Sequence, residues 1–300
     1  MRRLLIASTA LLLAACSQGD VIENAADTMT DAASDAMLSV TTTVDSAKLQ
    51  TVLAAQSDEM KARYEFRNPG KTLEFFEIAP GMSVGEALPG GGWYSRVLLP
   101  YLGEGGELVG VNYPMDLWPN FGWMTEERIA QMADWPTTWP EQAAEWTDSP
   151  ASIDAYTFAT LPADGSLDAF LFIRALHNLN RFEDGRFMGE ALSAVHGALK
   201  PGGIVGVVQH EAPADADADW ANGAAGYLKR ADVIAAFEAA GFELVESSDI
   251  NANPLDVPSS DDVVWRLKPS RRSEEGNEAL RAELDAIGES NRMTLKFRKA

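Results

Sequence analysis

The sequence predicts an α/β domain built on a seven-stranded, mostly parallel sheet with helices on both faces. Three observations carry that expectation. Short apolar runs alternate with helical periodicity from residue 82 to the end of the chain, the pattern of parallel strands joined by helical crossovers. The run at 167–173, Leu-Asp-Ala-Phe-Leu-Phe-Ile, is apolar at nearly every position, as an interior parallel strand covered on both faces must be. A glycine-rich turn, Leu88-Pro89-Gly90-Gly91-Gly92, joins the first apolar run to the helix after it, at the carboxyl edge where such sheets bind ligands.

The elements follow in order. A helical pattern starts near Asp45, with Leu49, Val52, Leu53 and Met60 at helical spacing. A short helix is expected at 71–76, before the Pro80-Gly81 turn. Strands are expected at 82–88, 107–112, 153–158, 167–173, 204–209, 242–247 and 293–298, and helices at 93–102, 186–199 and 231–240. Pro201-Gly202-Gly203 stops one helix and Gly241 closes another. Two segments break the rhythm. Residues 114–150 carry Trp118, Trp123, Trp135, Trp139 and Trp146, five of the eight tryptophans. They are expected to pack on the sheet edge, with an aromatic lid over the pocket mouth as the alternative. Residues 270–288 are charged and helical, placed before the final strand. Asp215, Asp217 and Asp219 alternate with alanine and lack the glycine and distal glutamate of a calcium loop, so they read as a solvated acidic loop.

Composition narrows the function. With 46% hydrophobic residues the chain can bury a sizeable core. A net charge of −21 repels phosphate backbones and argues against a nucleic-acid partner. Cys16 is the only cysteine, which excludes an intrachain disulfide and a cysteine metal cluster. Arg2 and Arg3 precede an apolar stretch at 4–13 that is too short to span a bilayer. Leu13-Ala14-Ala15-Cys16 resembles the lipobox of bacterial lipoproteins. That likeness implies lipidation of Cys16, a membrane anchor, and delivery to the cell envelope, with Ser17 favouring the periplasmic face of the outer membrane. Residues 17–44, rich in Ala, Asp, Ser and Thr, read as a flexible tether, and 45–300 as the folded domain.

The turn resembles motif I of the class I S-adenosylmethionine-dependent methyltransferases. Glu86 stands at the strand end, Gly90 and Gly92 match the motif's later glycines, and Leu88 replaces its first. Three further markers follow in the family's order. They are Asp168-Ala169-Phe170-Leu171-Phe172 in strand four, Leu199-Lys200-Pro201-Gly202-Gly203 before strand five, and Ala240-Gly241-Phe242 before strand six. A narrower likeness, to a group of predicted bacterial methyltransferases of undefined substrate, runs through Arg67-Asn68-Pro69, Pro89-Gly90-Gly91-Gly92-Trp93-Tyr94 and the tail at 293–299. The resemblance implies a Rossmann-like class I methyltransferase fold and S-adenosylmethionine as cofactor. It further implies that Glu86, Gly90, Gly91 and Gly92 hold the cofactor's amino-acid end, with Trp93 and Tyr94 beside it. Asn112 falls where the family has an acidic residue for the ribose hydroxyls, and Asp116 is a substitute from the next loop.

The remaining candidates face the acceptor. His177 follows strand four and His210 strand five, at the edge where ligands bind. His177 is the candidate base and His210 a substrate contact. Arg174 and Asn178, in the loop with His177, are suited to orient an anionic or polar small-molecule acceptor. His196 lies within a helix and reads as structural. No metal-ligand pattern is present. Because S-adenosylmethionine is made in the cytoplasm and the leader directs export, a second reading stands beside the enzyme: a non-catalytic small-ligand-binding lipoprotein on the same fold.

Overall fold

The computed structural model describes residues 43–272 and 277–300. The leader, Cys16 and nearly all of the expected tether lie outside the described residues. The seven strands are β1 (Ser83–Ala87), β2 (Glu107–Asn112), β3 (Ser152–Thr157), β4 (Leu167–Ile173), β5 (Leu199–His210), β6 (Phe242–Ser248) and β7 (Arg292–Lys299). They lie in the order β3-β2-β1-β4-β5-β7-β6. All pairings are parallel except those of β7, which runs antiparallel to both β5 and β6. The sheet is therefore the expected mixed, mostly parallel Rossmann-like one, in the arrangement of the class I methyltransferase fold.

Period-two alternation divides the core between the two faces. In β4, Phe170 and Phe172 enter one apolar cluster, whereas Ala169 and Leu171 enter the other. The first cluster is closed by α9 (Arg186–Ala198) and α10 (Arg230–Ala239), which contribute Leu192, Val195, Val233 and Phe237. The second is closed by α1 (Ser46–Ala55), α4 (Pro69–Phe75) and α5 (Ser95–Leu102), which contribute Leu49, Leu73 and Leu98.

Differences from the sequence expectation have local causes. The amino-terminal helical run breaks after Ala55, because the Ser57 hydroxyl accepts from the Met60 amide and starts a new helix, α2 (Asp58–Lys61). A further turn, α3 (Tyr64–Arg67), ends at Asn68, whose left-handed φ of 38° turns the chain into α4. Residues 200–203 form a bulge within β5 rather than a turn before it. Leu199 pairs with Leu167, and pairing resumes at Ile204 with Ala169.

The tryptophan-rich insert mostly packs. It folds as a short turn at Trp118–Asn120 followed by α6 (Glu126–Ala133) and α7 (Trp135–Ala144). Trp139 is 1% exposed and stacks on Trp135 at 5.4 Å. Its ring lies against Gly110 of β2, where a Cβ would come within 2.6 Å of it. That glycine is needed for close approach, not for its backbone angles. The last tryptophan of the insert, Trp146, behaves differently and reaches the glycine turn.

Candidate active site at the carboxyl edge of the sheet

Two strand ends build the site, and each ends in a residue of left-handed conformation. Leu88, after β1, has φ 51°, and Arg174, after β4, has φ 59°. Neither is glycine, and such angles are costly for a side-chain-bearing residue. Both are pinned by the sheet: the Leu88 amide donates to the Val111 carbonyl at 2.8 Å, and the Arg174 amide to the Val208 carbonyl at 2.6 Å.

Above Leu88 the turn opens on a cavity of about 920 Å³. Gly90, Gly91 and Trp93 form its floor, Arg67 and Arg174 its inner wall, and Trp146 part of its rim. Gly91 is bare: a Cβ there would meet no atom within 4 Å. Gly92 is covered, because its own φ is 74° and a Cβ would fall 2.0 Å from the Trp146 ring. The cation of Arg96 lies 4.8 Å from the Trp146 ring, and that of Arg67 4.7 Å from the Trp93 ring.

Glu86 lies buried at the end of β1 and does not line the cavity; its Oε2 accepts from the Ser95 hydroxyl at 2.6 Å. Burial pushes its carboxyl up to about 7, against the pull of the Ser95 bond and of the Arg174 charge. Tyr94 is also buried, its hydroxyl 3.4 Å from the Arg67 carbonyl oxygen, so its ring supports the wall from behind.

The other expected residues fall elsewhere. Asn112 does not line the cavity. Its side-chain oxygen accepts from the backbone amide of Tyr113 at 2.8 Å, and it is buried under that residue. Asp116 is exposed and paired with Arg186 at 3.0 Å. Asn178 bonds the buried Tyr113 hydroxyl, away from the cavity. His177, on the short helix α8 (Leu176–Asn180), and His210 line a second hollow of about 250 Å³ that shares Leu88 and Arg174 with the first. Their rings are 5.7 Å apart, and His210 Nδ1 lies 2.6 Å from the Ser290 hydroxyl. Burial lowers His177 to about 4, and burial, together with the adjoining His177 and the arginines nearby, lowers His210 well below the ordinary imidazole value. Both rings are therefore neutral near pH 7 and weak as bases. His196 packs on Phe242 at 5.3 Å, in keeping with a structural role. Among the described residues no group of ligating side chains is assembled for a metal.

Several site residues were not assigned to the site from the sequence, among them Arg63, Arg67, Ser95, Arg96, Glu289 and Arg292. Glu289 receives Arg67 Nε at 3.1 Å on both oxygens and also the Arg292 guanidinium. Arg67 and Glu289 are 222 positions apart. Only a Glu-x-x-Arg spacing in the tail hinted at the second of these pairs.

S-adenosylmethionine, the cofactor implied by the resemblance, fits part of this site. The bare Gly90-Gly91 backbone suits the amino-acid end of such a molecule, and the cavity is of a size that holds one. Asn112 does not offer its oxygen to a ligand in this cavity, because it is buried outside the lining, with that oxygen accepting from the Tyr113 amide.

Several solved structures are similar to this chain at low sequence identity. A SAM-dependent methyltransferase from Aquifex aeolicus aligns over 85% of this chain and 99% of its own, with 14% identity and a TM-score of 0.45. The Burkholderia thailandensis 1,6-didemethyltoxoflavin-N1-methyltransferase, solved with S-adenosylhomocysteine, aligns over 97% of this chain and 93% of its own, with 13% identity and a TM-score of 0.41. A sarcosine dimethylglycine methyltransferase homologue from Galdieria sulphuraria aligns over 83% and 90%, with 12% identity and a TM-score of 0.45. No family model matches the chain, and no curated protein sequence does. At these identities the likeness is one of fold.

Proposed function

We propose that the chain is an S-adenosylmethionine-dependent methyltransferase acting on a small molecule. The observation that carries this reading is the bare Gly91 backbone, open to a cavity of about 920 Å³. When bound, the cofactor supplies an electrophilic sulfonium methyl group. Gly90 and Gly91 let its amino-acid end approach the backbone, and Glu86, when ionised, adds a negative potential from behind the turn. Trp93 and Trp146 shield the cavity from water, and Arg174 stands where the acceptor enters. Methyl transfer depends chiefly on alignment of donor and acceptor, so a site without a strong base suits it. His177, neutral and set in the adjoining hollow, acts on the shape of the acceptor's surroundings rather than as a base.

The test is calorimetric titration of the full chain in detergent with S-adenosylmethionine. Micromolar binding that Gly91→Val abolishes is expected. Absence of binding at millimolar donor overturns the reading. Envelope anchoring through Cys16 is a separate proposal, supported by the lipobox-like segment. Incorporation of a labelled lipid precursor into the chain, lost in Cys16→Ala, is the expected result, and an unlabelled chain refutes it.

A further inference from the structure

The chain carries a net charge of −21, yet its large cavity is lined by four arginines, Arg63, Arg67, Arg96 and Arg174, and one carboxylate, Glu59. A basic concavity in an acidic surface focuses anions. The innermost part is the most unbalanced. Arg67, Arg174 and Arg292 gather around Glu289. Arg292 is fully engaged, with Glu289, with the Ser290 hydroxyl at 3.3 Å and with the Phe66 carbonyl at 3.2 Å. Arg67 is 3% exposed and gives Nε to Glu289, but its Nη2 is buried without a hydrogen-bond partner. The Arg174 guanidinium makes no hydrogen bond among the described residues. Burial, with the charges of its neighbours Arg67 and Arg292, pulls it down to about 9. A buried guanidinium with an empty donor is costly unless an anion fills it.

We propose that the cavity takes an anionic methyl acceptor, whose carboxylate or phosphate is held between Arg67 and Arg174. This rests on the methyltransferase reading. The arginines leave the cavity with an excess of positive charge over the single carboxylate of Glu59. An anionic acceptor restores the balance and brings its nucleophile to the end of β4. Arg174 lines both hollows, so an oxyanion beside it sits at their junction, with the body of the acceptor reaching toward His177 and Trp265.

The donor's own carboxylate is the competing source of the same chemistry, and the experiment separates the two. Inorganic phosphate and succinate are titrated calorimetrically into the full chain in detergent, with and without saturating S-adenosylhomocysteine. Expected is oxyanion binding that persists with the nucleoside bound. Arg67→Gln and Arg174→Gln should each weaken it by about tenfold, the loss of one charge-assisted hydrogen bond, and by a larger factor than they change S-adenosylhomocysteine affinity. Arg174→Gln removes no side-chain bond of the fold, so it remains informative if Arg67→Gln fails to fold. The proposal is overturned if neither probe binds, or if S-adenosylhomocysteine displaces them. In the second case Arg67→Gln would weaken S-adenosylhomocysteine but not methylthioadenosine, which lacks the carboxylate. Oxyanion binding without any nucleoside binding overturns the acceptor role together with the methyl-donor reading, whereas nucleoside binding without oxyanion binding overturns the acceptor role alone.

Discussion

The Ser95 hydroxyl donates to Oε2 of Glu86 at 2.6 Å, joining the first turn of α5 to the end of β1 beneath the glycine turn. One neutral donor does not offset the burial of this carboxyl, which ionises only near 7. A cationic ammonium above it would favour the ionised form. Donor affinity should therefore rise between about pH 6 and pH 8, and the rise should flatten in Glu86→Gln. Calorimetry across that range, in buffers of matched ionic strength, reads this directly.

Glu86 and His177 oppose each other in stability. The raised Glu86 contributes stability that is full below its ordinary 4.5 and lost as pH climbs through about 7. The lowered His177 contributes stability present above its ordinary 6.5 and lost as pH falls through about 4. Each is worth at most about 3 kcal/mol across its window. Between about pH 4.5 and 6.5 the two nearly cancel, although His210 adds to the histidine side. Urea denaturation should give a stability that rises with pH in Glu86→Gln and a shallower rise, or a fall, in His177→Gln.

Neighbouring glycines should respond differently to a side chain. Gly91→Val places its methyls in open space and should leave the melting temperature nearly unchanged while blocking the cavity floor. Gly92→Val meets the Trp146 ring from a backbone of φ 74° and should lower stability by about 2 kcal/mol or more. Thermal melts of the two variants, run side by side, check this.

Trp139→Ala removes a ring that is 1% exposed and seated on Gly110 between α7 and β2. The loss should be about 3–5 kcal/mol, measured as a shift in the urea midpoint. Gly110→Ala should be destabilising in its own right, and much less so when Trp139 is already alanine, because the two changes address one contact.

The sheet was legible because its signals are local. A strand buried on both faces has to be apolar along nearly all its length, and β4 is, Asp168 excepted; a crossover helix has to show one apolar stripe, and α9 does. The β5 bulge was misplaced because Pro201-Gly202-Gly203 has the composition of a turn, and only pairing with β4 shows that strand geometry spans it. The short turn α3 escaped notice because four residues cannot display a helical period.

By itself the sequence determined the order of strands and helices, the glycine turn and the positions of Glu86 and Arg174 at strand ends, since hydrophobic period and backbone freedom are properties of neighbouring residues. The tertiary structure decided which side chains share the cavity. It turned Asn112 toward Tyr113, set His177 in the adjoining hollow, and closed Trp146 over Gly92. It also brought Arg67 to Glu289 across 222 positions. Charge pairing and ring packing act through space, and distances through space exist only once the chain has folded.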